Sequence, residues 1–181
     1  MVSGELIRAA RIIQTGGVVA YATEHCFGLG CDPMNRAAVL RLLRIKHRSP
    51  GKGLILVAAN ASQLDPYVES VPAQVAATWP GANTWLLPPR AGTPRWITGD
   101  HARIAVRVTA HAQAAALCKS AGMAIISTSA NRAGDMPVRS YREALRRFKD
   151  EVDYILPGRV GDAPAPTPIR DAITGEIVRP G

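Results

Sequence analysis

Two polar clusters in this 181-residue chain have the residue types needed to handle an oxyanion. The first is Ser127-Thr128-Ser129-Ala130-Asn131, which leaves the apolar run Ala124-Ile125-Ile126 and leads into Arg132-Ala133-Gly134. Small hydroxyl and amide donors at the end of a short buried strand suit a phosphate or a developing oxyanion. An ordinary hydroxyl-rich turn would use the same residues. The second cluster is Lys46-His47-Arg48, followed by Lys52. Cations at a helix C-terminus complement its dipole by about 0.3–1 kcal/mol, but three within seven positions exceed that need. Arginine adds a planar fork suited to phosphate and lysine a mobile point charge. Polyanion binding and a solvated basic face both fit this segment.

Two more positions stand at predicted strand exits or edges. Thr23-Glu24 follows Val18-Val19-Ala20-Tyr21, and Arg107 lies in Arg103-Ile104-Ala105-Val106-Arg107-Val108. Thr23 could be a turn hydroxyl and Arg107 an exposed strand charge. Their sequence order, with Ser129–Asn131, matches the rule that ligands bind in the crevice beyond strand ends of open α/β sheets. Gly28-Leu29-Gly30 lies in the long exit after Tyr21, but Pro33 occupies the place of a third glycine, which excludes a dinucleotide fingerprint.

These residues need strands and helices to hold them. Leu6, Ala10 and Ile13 share one face of a helix over 5–14 that Gly16-Gly17 stops. Asn35 is a candidate N-cap for a helix over 36–45 with Val39, Leu42 and Leu43 on one face, ended by Pro50-Gly51. Leu54–Ala58 reads as a buried strand, and 62–79 as a helix interrupted by Pro66 and Pro72. Trp79-Pro80-Gly81 turns into a strand at Thr84–Leu87, stopped by Pro88-Pro89. A strand at 103–108 and an alanine-rich helix at 111–120, closed by Gly122, precede the Ser/Asn cluster. Ser140-Tyr141-Arg142-Glu143 predicts a capping box for a helix with Ala144, Leu145 and Phe148. Val152–Leu156 is a further strand, and 161–168 a Pro/Ala-rich loop. Alternating strands and helices predict an α/β domain, a single one over 1–181.

Composition sets the outer limits. Hydrophobic residues at 47% and charged ones at 20% are globular values. The excess of 22 Lys and Arg over 14 Asp and Glu, +8, favours a polyanionic partner such as RNA, DNA or a nucleotide. Cys26, Cys31 and Cys118 form no CxxC pair, and the four histidines form no HxxxH or HExxH pattern, so no metal site is expected. With no leader and no apolar span, a soluble, cytoplasmic protein is expected.

Taken in order, these motifs resemble the YrdC/TsaC family of L-threonylcarbamoyladenylate synthases. The resemblance runs through Ala22–Asp32, Lys46-x-Arg48, Trp79-Pro80-Gly81 with Thr84, Ala105-Val106-Arg107, Ser127–Asn131 and Arg179-Pro180-Gly181. It implies a twisted open sheet of mixed parallel and antiparallel strands with flanking helices. It also implies that L-threonine, bicarbonate or CO2, and ATP with Mg²⁺ yield threonylcarbamoyl-AMP and pyrophosphate, which transferase partner proteins use to modify tRNA. Lys46, Arg48, Ser129 and Asn131 match the family's Lys-x-Arg and Ser-x-Asn tetrad, the implied catalytic set. Lys46, Arg48, Lys52, Ser127, Ser129 and Arg179 would bind ATP, and Thr23, Arg107 and Thr167 the threonine. Ala22 replaces a usual proline, Val57 stands where many members carry histidine, and Ala165-Pro166-Thr167-Pro168 replaces a Glu-Ser-Thr segment. Ending at Arg-Pro-Gly, the chain resembles the short bacterial form. The rival expectation is a non-catalytic protein that binds tRNA or double-stranded RNA, or one that serves ribosome maturation.

Overall fold

The computed structural model describes residues 3–181. The central feature is a nine-stranded sheet, built from β1 (Val19–Ala22), β2 (Phe27–Gly30), β3 (Ile55–Ala58), β4 (Thr84–Leu87), β5 (Ile104–Val108), β6 (Ile125–Ser129), β7 (Tyr154–Ile155), β8 (Ile169–Asp171) and β9 (Ile177–Arg179). Their order is β7-β1-β2-β6-β3-β5-β4-β8-β9. The pairs β1–β7, β3–β5 and β4–β8 are parallel. The other five are antiparallel, as the mixed-sheet expectation requires.

Six α-helices flank the sheet: α1 (Gly4–Gln14), α2 (Arg36–Ile45), α3 (Ala73–Ala76), α4 (Arg95–Thr98), α5 (Ala112–Ala121) and α6 (Tyr141–Phe148). The caps follow local chemistry. Asn35 accepts from the Ala38 amide and Ser140 from the Glu143 amide, each satisfying a donor that the first helical turn leaves open. The Glu143 carboxylate reaches back to the Arg139 amide, one residue before the cap.

Alternation along the strands divides the core in two. Leu56, Val106 and Ile126 join Leu42, Leu43 and Phe148 on one face. Val19, Tyr21, Val57 and Ile125 face Leu6, Ile13, Leu117 and Cys118 of α1 and α5 on the other. This second face is longer than its two helices can cover, and the remainder forms the site described below.

Four expectations are corrected. The stretch 62–79 is mostly non-helical, with a 3₁₀ turn at Ala61–Leu64 and α3 alone remaining. Pro66 and Pro72 cannot donate to a helical ladder, which breaks the stretch where they stand. The exit after Tyr21 is a hairpin, and Gly28-Leu29-Gly30 belongs to β2. A Cβ on Gly30 would lie 2.7 Å from the Ile126 carbonyl oxygen and 2.8 Å from Tyr21 Cε1, so the glycine permits strand approach. Ser127 and Ser129 are strand residues of β6, held by pairing with β2 and β3. Finally, α4 and β8 are elements that the pattern did not predict; each has only three or four residues, too few for periodicity to register.

Candidate active site

A cavity of about 340 Å³ lies on the uncovered part of the second sheet face. Cross-strand register builds its floor: Gly28 lies opposite Ser129, Ser127 opposite Ile55, Ile55 opposite Ala105, and Ala105 opposite Leu86. The cavity is therefore a sheet-face site, not a crevice beyond strand ends. Strand β5 runs opposite to β6, so their C-terminal ends cannot form one rim, whereas their aligned side chains can share one face.

Eight of the ten expected site residues line this cavity: Thr23, Arg48, Lys52, Arg107, Ser127, Ser129, Thr167 and Arg179. Arg48 is aimed by the end of α2. The His47 and Arg48 amides donate to the carbonyls of Arg44 and Leu43, a Schellman closure that holds His47 at φ 51°. Nη2 of Arg48 donates to the carbonyls of Gly53 (2.9 Å) and Lys52 (3.2 Å), while its buried Nε has no partner. The loop that it grips is packed against Gly99, where a Cβ would lie 2.4 Å from the Gly51 carbonyl oxygen.

Arg107, only 6% exposed, donates from Nη1 to Thr167 Oγ1 at 2.6 Å. Its Nη2 is 3.3 Å from Glu24 Oε2, and its buried Nε is also unpartnered. Thr167 Oγ1 is 3.0 Å from Thr84 Oγ1, and its carbonyl accepts from Arg179 Nη2 at 3.0 Å. The guanidinium groups of Arg48, Arg107 and Arg179, three of the four arginines that line the cavity, are thus crowded around it. Burial and the charge of Arg179 lower the Arg48 pKa, and burial and the charge of Arg107 lower that of Arg179. Such a cluster calls for an anion with several oxygens.

The hydroxyl-bearing residues are held more tightly. Thr23 Oγ1 donates to the Cys26 carbonyl at 2.7 Å, within its own turn. Tyr21, fully buried, donates to Ser127 Oγ at 2.7 Å. Ser129 Oγ donates to Asn131 Oδ1 at 2.5 Å.

Lys46 and Asn131, the other two expected residues, are not among those that line the cavity and lie behind its wall. Lys46 is 4% exposed, and its ammonium donates to the carbonyls of Ser129 and Asn131 (2.8 Å for the latter) and to Asn131 Oδ1 at 3.3 Å. Those three acceptors match its three protons. Burial and the neighbouring Arg48 lower its pKa to about 8. The Asn131 amide donates to the carbonyls of Arg132 and Asp135, fastening the same turn.

Other lining residues were not singled out from the sequence. Glu24 was seen only as part of a strand exit, yet it carries the one carboxylate among the lining residues. Arg103 also lines the cavity and pairs with Asp171. The alternation Arg103-Ala105-Arg107 was the available signal, since residues two apart share a strand face. Thr98 enters from the end of α4, a helix too short to leave a periodic trace, and His101 from the turn after it. Val57, at the position where histidine was noted, is buried against α1 and α5 and does not line the cavity.

Among the described residues, no group of three or more His, Cys, Asp or Glu is placed to hold a metal ion. No helix among them is long and apolar enough to cross a membrane.

The profile of the Sua5/YciO/YrdC family, described as "Telomere recombination", matches residues 11–181. A protein of Alkalilimnicola ehrlichii named threonylcarbamoyl-AMP synthase is 54% identical over 176 residues, covering 94% of this chain and 92% of that one. A protein of Methylococcus capsulatus with the same name is 49% identical over 183 residues, covering 98% of both. Among solved structures, P. abyssi Sua5 complexed with L-threonine superposes with a TM-score of 0.86 at 29% identity. That match covers 92% of this chain and 50% of that one, so the chain spans about half the length of Sua5. E. coli YciO gives a TM-score of 0.83 at 28% identity, covering 97% of this chain and 88% of that one.

Proposed function

The chain belongs to the Sua5/YciO/YrdC family, and on that premise we propose that it is an L-threonylcarbamoyladenylate synthase. L-threonine, bicarbonate and ATP would give threonylcarbamoyl-AMP, pyrophosphate and water. The observation that carries this reading is the guanidinium cluster of Arg48, Arg107 and Arg179 around a cavity with one acidic side chain.

The amino group of threonine takes up CO2, and the resulting carbamate is itself an anionic nucleophile toward the α-phosphorus of ATP. Such a reaction needs positioned charge more than a nucleophilic side chain. Arg107 holds the threonine carboxylate, with its free Nε and the fork that Thr167 orients. Thr23, which lines the same cavity, is a further contact for the threonine. Arg48, Lys52 and Arg179 hold the phosphates and offset charge on the departing pyrophosphate. Tyr21 donates to Ser127, which directs the Ser127 proton elsewhere, toward nucleotide or carbamate. Ser129 faces the cavity from the same strand, and Lys46 with Asn131 sets its position. Mg²⁺ would arrive with ATP, bound mainly by phosphate oxygens and water.

The +8 charge supports an additional contact with tRNA or double-stranded RNA. The product implies transferase partner proteins that carry its threonylcarbamoyl group onward, in the cytoplasm. The direct test incubates the purified protein with ATP, threonine and bicarbonate and follows pyrophosphate. Release that needs all three substrates supports the synthase. A protein that binds RNA and releases no pyrophosphate fits the non-catalytic reading instead.

A further inference from the structure

Glu24 is the one carboxylate among the lining residues, and the preceding scheme leaves its chemistry unused. Its side chain is 12% exposed and follows Thr23 in the β1–β2 hairpin. Thr109 Oγ1 donates to Oε1 at 2.5 Å, while the buried Oε2 makes no hydrogen bond and lies 3.3 Å from Arg107 Nη2. The backbone is pinned as well, because the Ala163 amide donates to the Glu24 carbonyl at 3.1 Å. Burial alone would raise the carboxyl pKa, but the Arg107 guanidinium and the Thr109 hydroxyl outweigh it and hold it below the ordinary range. The group therefore stays ionised at neutral pH.

An ionised carboxylate with a buried oxygen lacking a hydrogen bond is an incomplete site. The same is true of Arg107, whose Nε is buried and unpartnered. Both orphaned atoms belong to side chains that line the cavity, and they carry opposite charges side by side. A ligand that completes both must present an anion and a cation a short distance apart. An α-amino acid zwitterion does so, with its carboxylate and ammonium attached to the same carbon. A hydroxy acid or a simple carboxylate would satisfy Arg107 and leave Glu24 Oε2 without a donor.

We propose that Glu24 recognises the α-ammonium group of the incoming amino acid, before that group gives up a proton to solvent and takes up CO2, next to the Arg107 site for its carboxylate, and so selects free α-amino acids over their deamino counterparts. This rests on the amino-acid reading of the cavity given above. Glu24 then acts as a specificity residue. Pairing it with the ligand ammonium replaces the unsatisfied contact with a charge-assisted hydrogen bond.

Calorimetric titration with two ligands tests the proposal. One is L-threonine. The other is 3-hydroxybutanoate, which keeps the carboxylate and the side-chain hydroxyl and has hydrogen in place of the ammonium. The unaltered protein should bind threonine at least about tenfold more tightly, the scale of one charged hydrogen bond. In Glu24→Gln that preference should collapse to within about twofold, through weaker threonine binding. Equal binding of the two ligands by the unaltered protein overturns the proposal whether or not the variant folds. A preference that survives in the variant overturns it too. Parallel loss of both ligands would mean that Glu24 merely steadies Arg107, and would also overturn it. Failure of the unaltered protein to bind either ligand would remove the amino-acid reading itself, a result distinct from the others.

Discussion

The Lys46 ammonium lies 2.8 Å from the carbonyl oxygen of Asn131, a residue 85 positions further along the chain. This contact joins the end of α2 to the turn after β6, the two motifs that stood apart in the sequence. Of the four tetrad residues, Arg48 and Ser129 line the cavity, while Lys46 and Asn131 bond to each other in the turn behind it.

That division predicts how Lys46 variants fail. Lys46→Gln keeps two donor protons but loses the charge and the third, so the turn that places Ser129 should loosen. Turnover should fall at least about tenfold, the scale of one charge-assisted hydrogen bond, with little change in the KM for ATP. Steady-state kinetics decide. A rise in the KM for ATP with unchanged kcat would make Lys46 a phosphate ligand after all.

A pH dependence follows from the same residue. Its ordinary pKa of 10.5 is lowered to about 8 by burial and by Arg48. The neutral amine has one proton fewer for three acceptors, so kcat should fall as pH rises through about 8. The stability effect has the opposite sign. Between about 8 and 10.5 the unfolded chain binds more protons than the folded one, so this group's contribution makes the fold more stable as pH rises. A pH–rate profile and thermal melts across that window check both signs. A flat kcat from pH 7 to 9 contradicts the role of the ammonium.

Arg107→Lys should raise the KM for threonine at least about tenfold and leave that for ATP nearly unchanged. Lysine loses the planar fork that reaches Thr167 and Glu24 together, so the swap is not conservative here. Separate titrations of the two substrates check this. A change confined to the ATP dependence would place Arg107 at the phosphates.

His47 closes the Schellman motif in a left-handed conformation, φ 51°, where a side chain costs about 1–2 kcal/mol and glycine does not. His47→Gly recovers part of that and loses part to the greater freedom of the unfolded chain. A net gain of up to about 1 kcal/mol, or roughly 2–4 °C in Tm, is expected by calorimetry. A lower Tm would show that the imidazole makes a contribution larger than the strain.

Much of this arrangement could be read before the structure, for reasons that differ by element. The caps Asn35 and Ser140 and the apolar periodicity of α1, α2 and α6 are local signals, and they reported local structure. Strand β2 was hidden because glycine at 28 and 30 removes the alternating side chains that mark a strand, and the close approach of Tyr21 and Ile126 that excludes a side chain at 30 exists only in the sheet. Eight expected residues line the cavity because short polar motifs at strands carry their chemistry with them. The different placement of Lys46 was not readable, since its acceptors are backbone carbonyls 83 and 85 residues away. Glu24 was visible as a residue but not as a partner of Arg107, a pairing that only the sheet creates.

On the proposed function, this cavity joins carbamate to adenylate. The most direct test supplies carbon-13 bicarbonate with threonine and ATP, then weighs the nucleotide products by mass spectrometry. A threonylcarbamoyl adenylate that carries the label should form together with pyrophosphate, and should be absent when Arg48→Ala replaces the parent protein. Labelled adenylate formed at the parental rate by Arg48→Ala, or ATP consumed without any labelled product, would contradict that function.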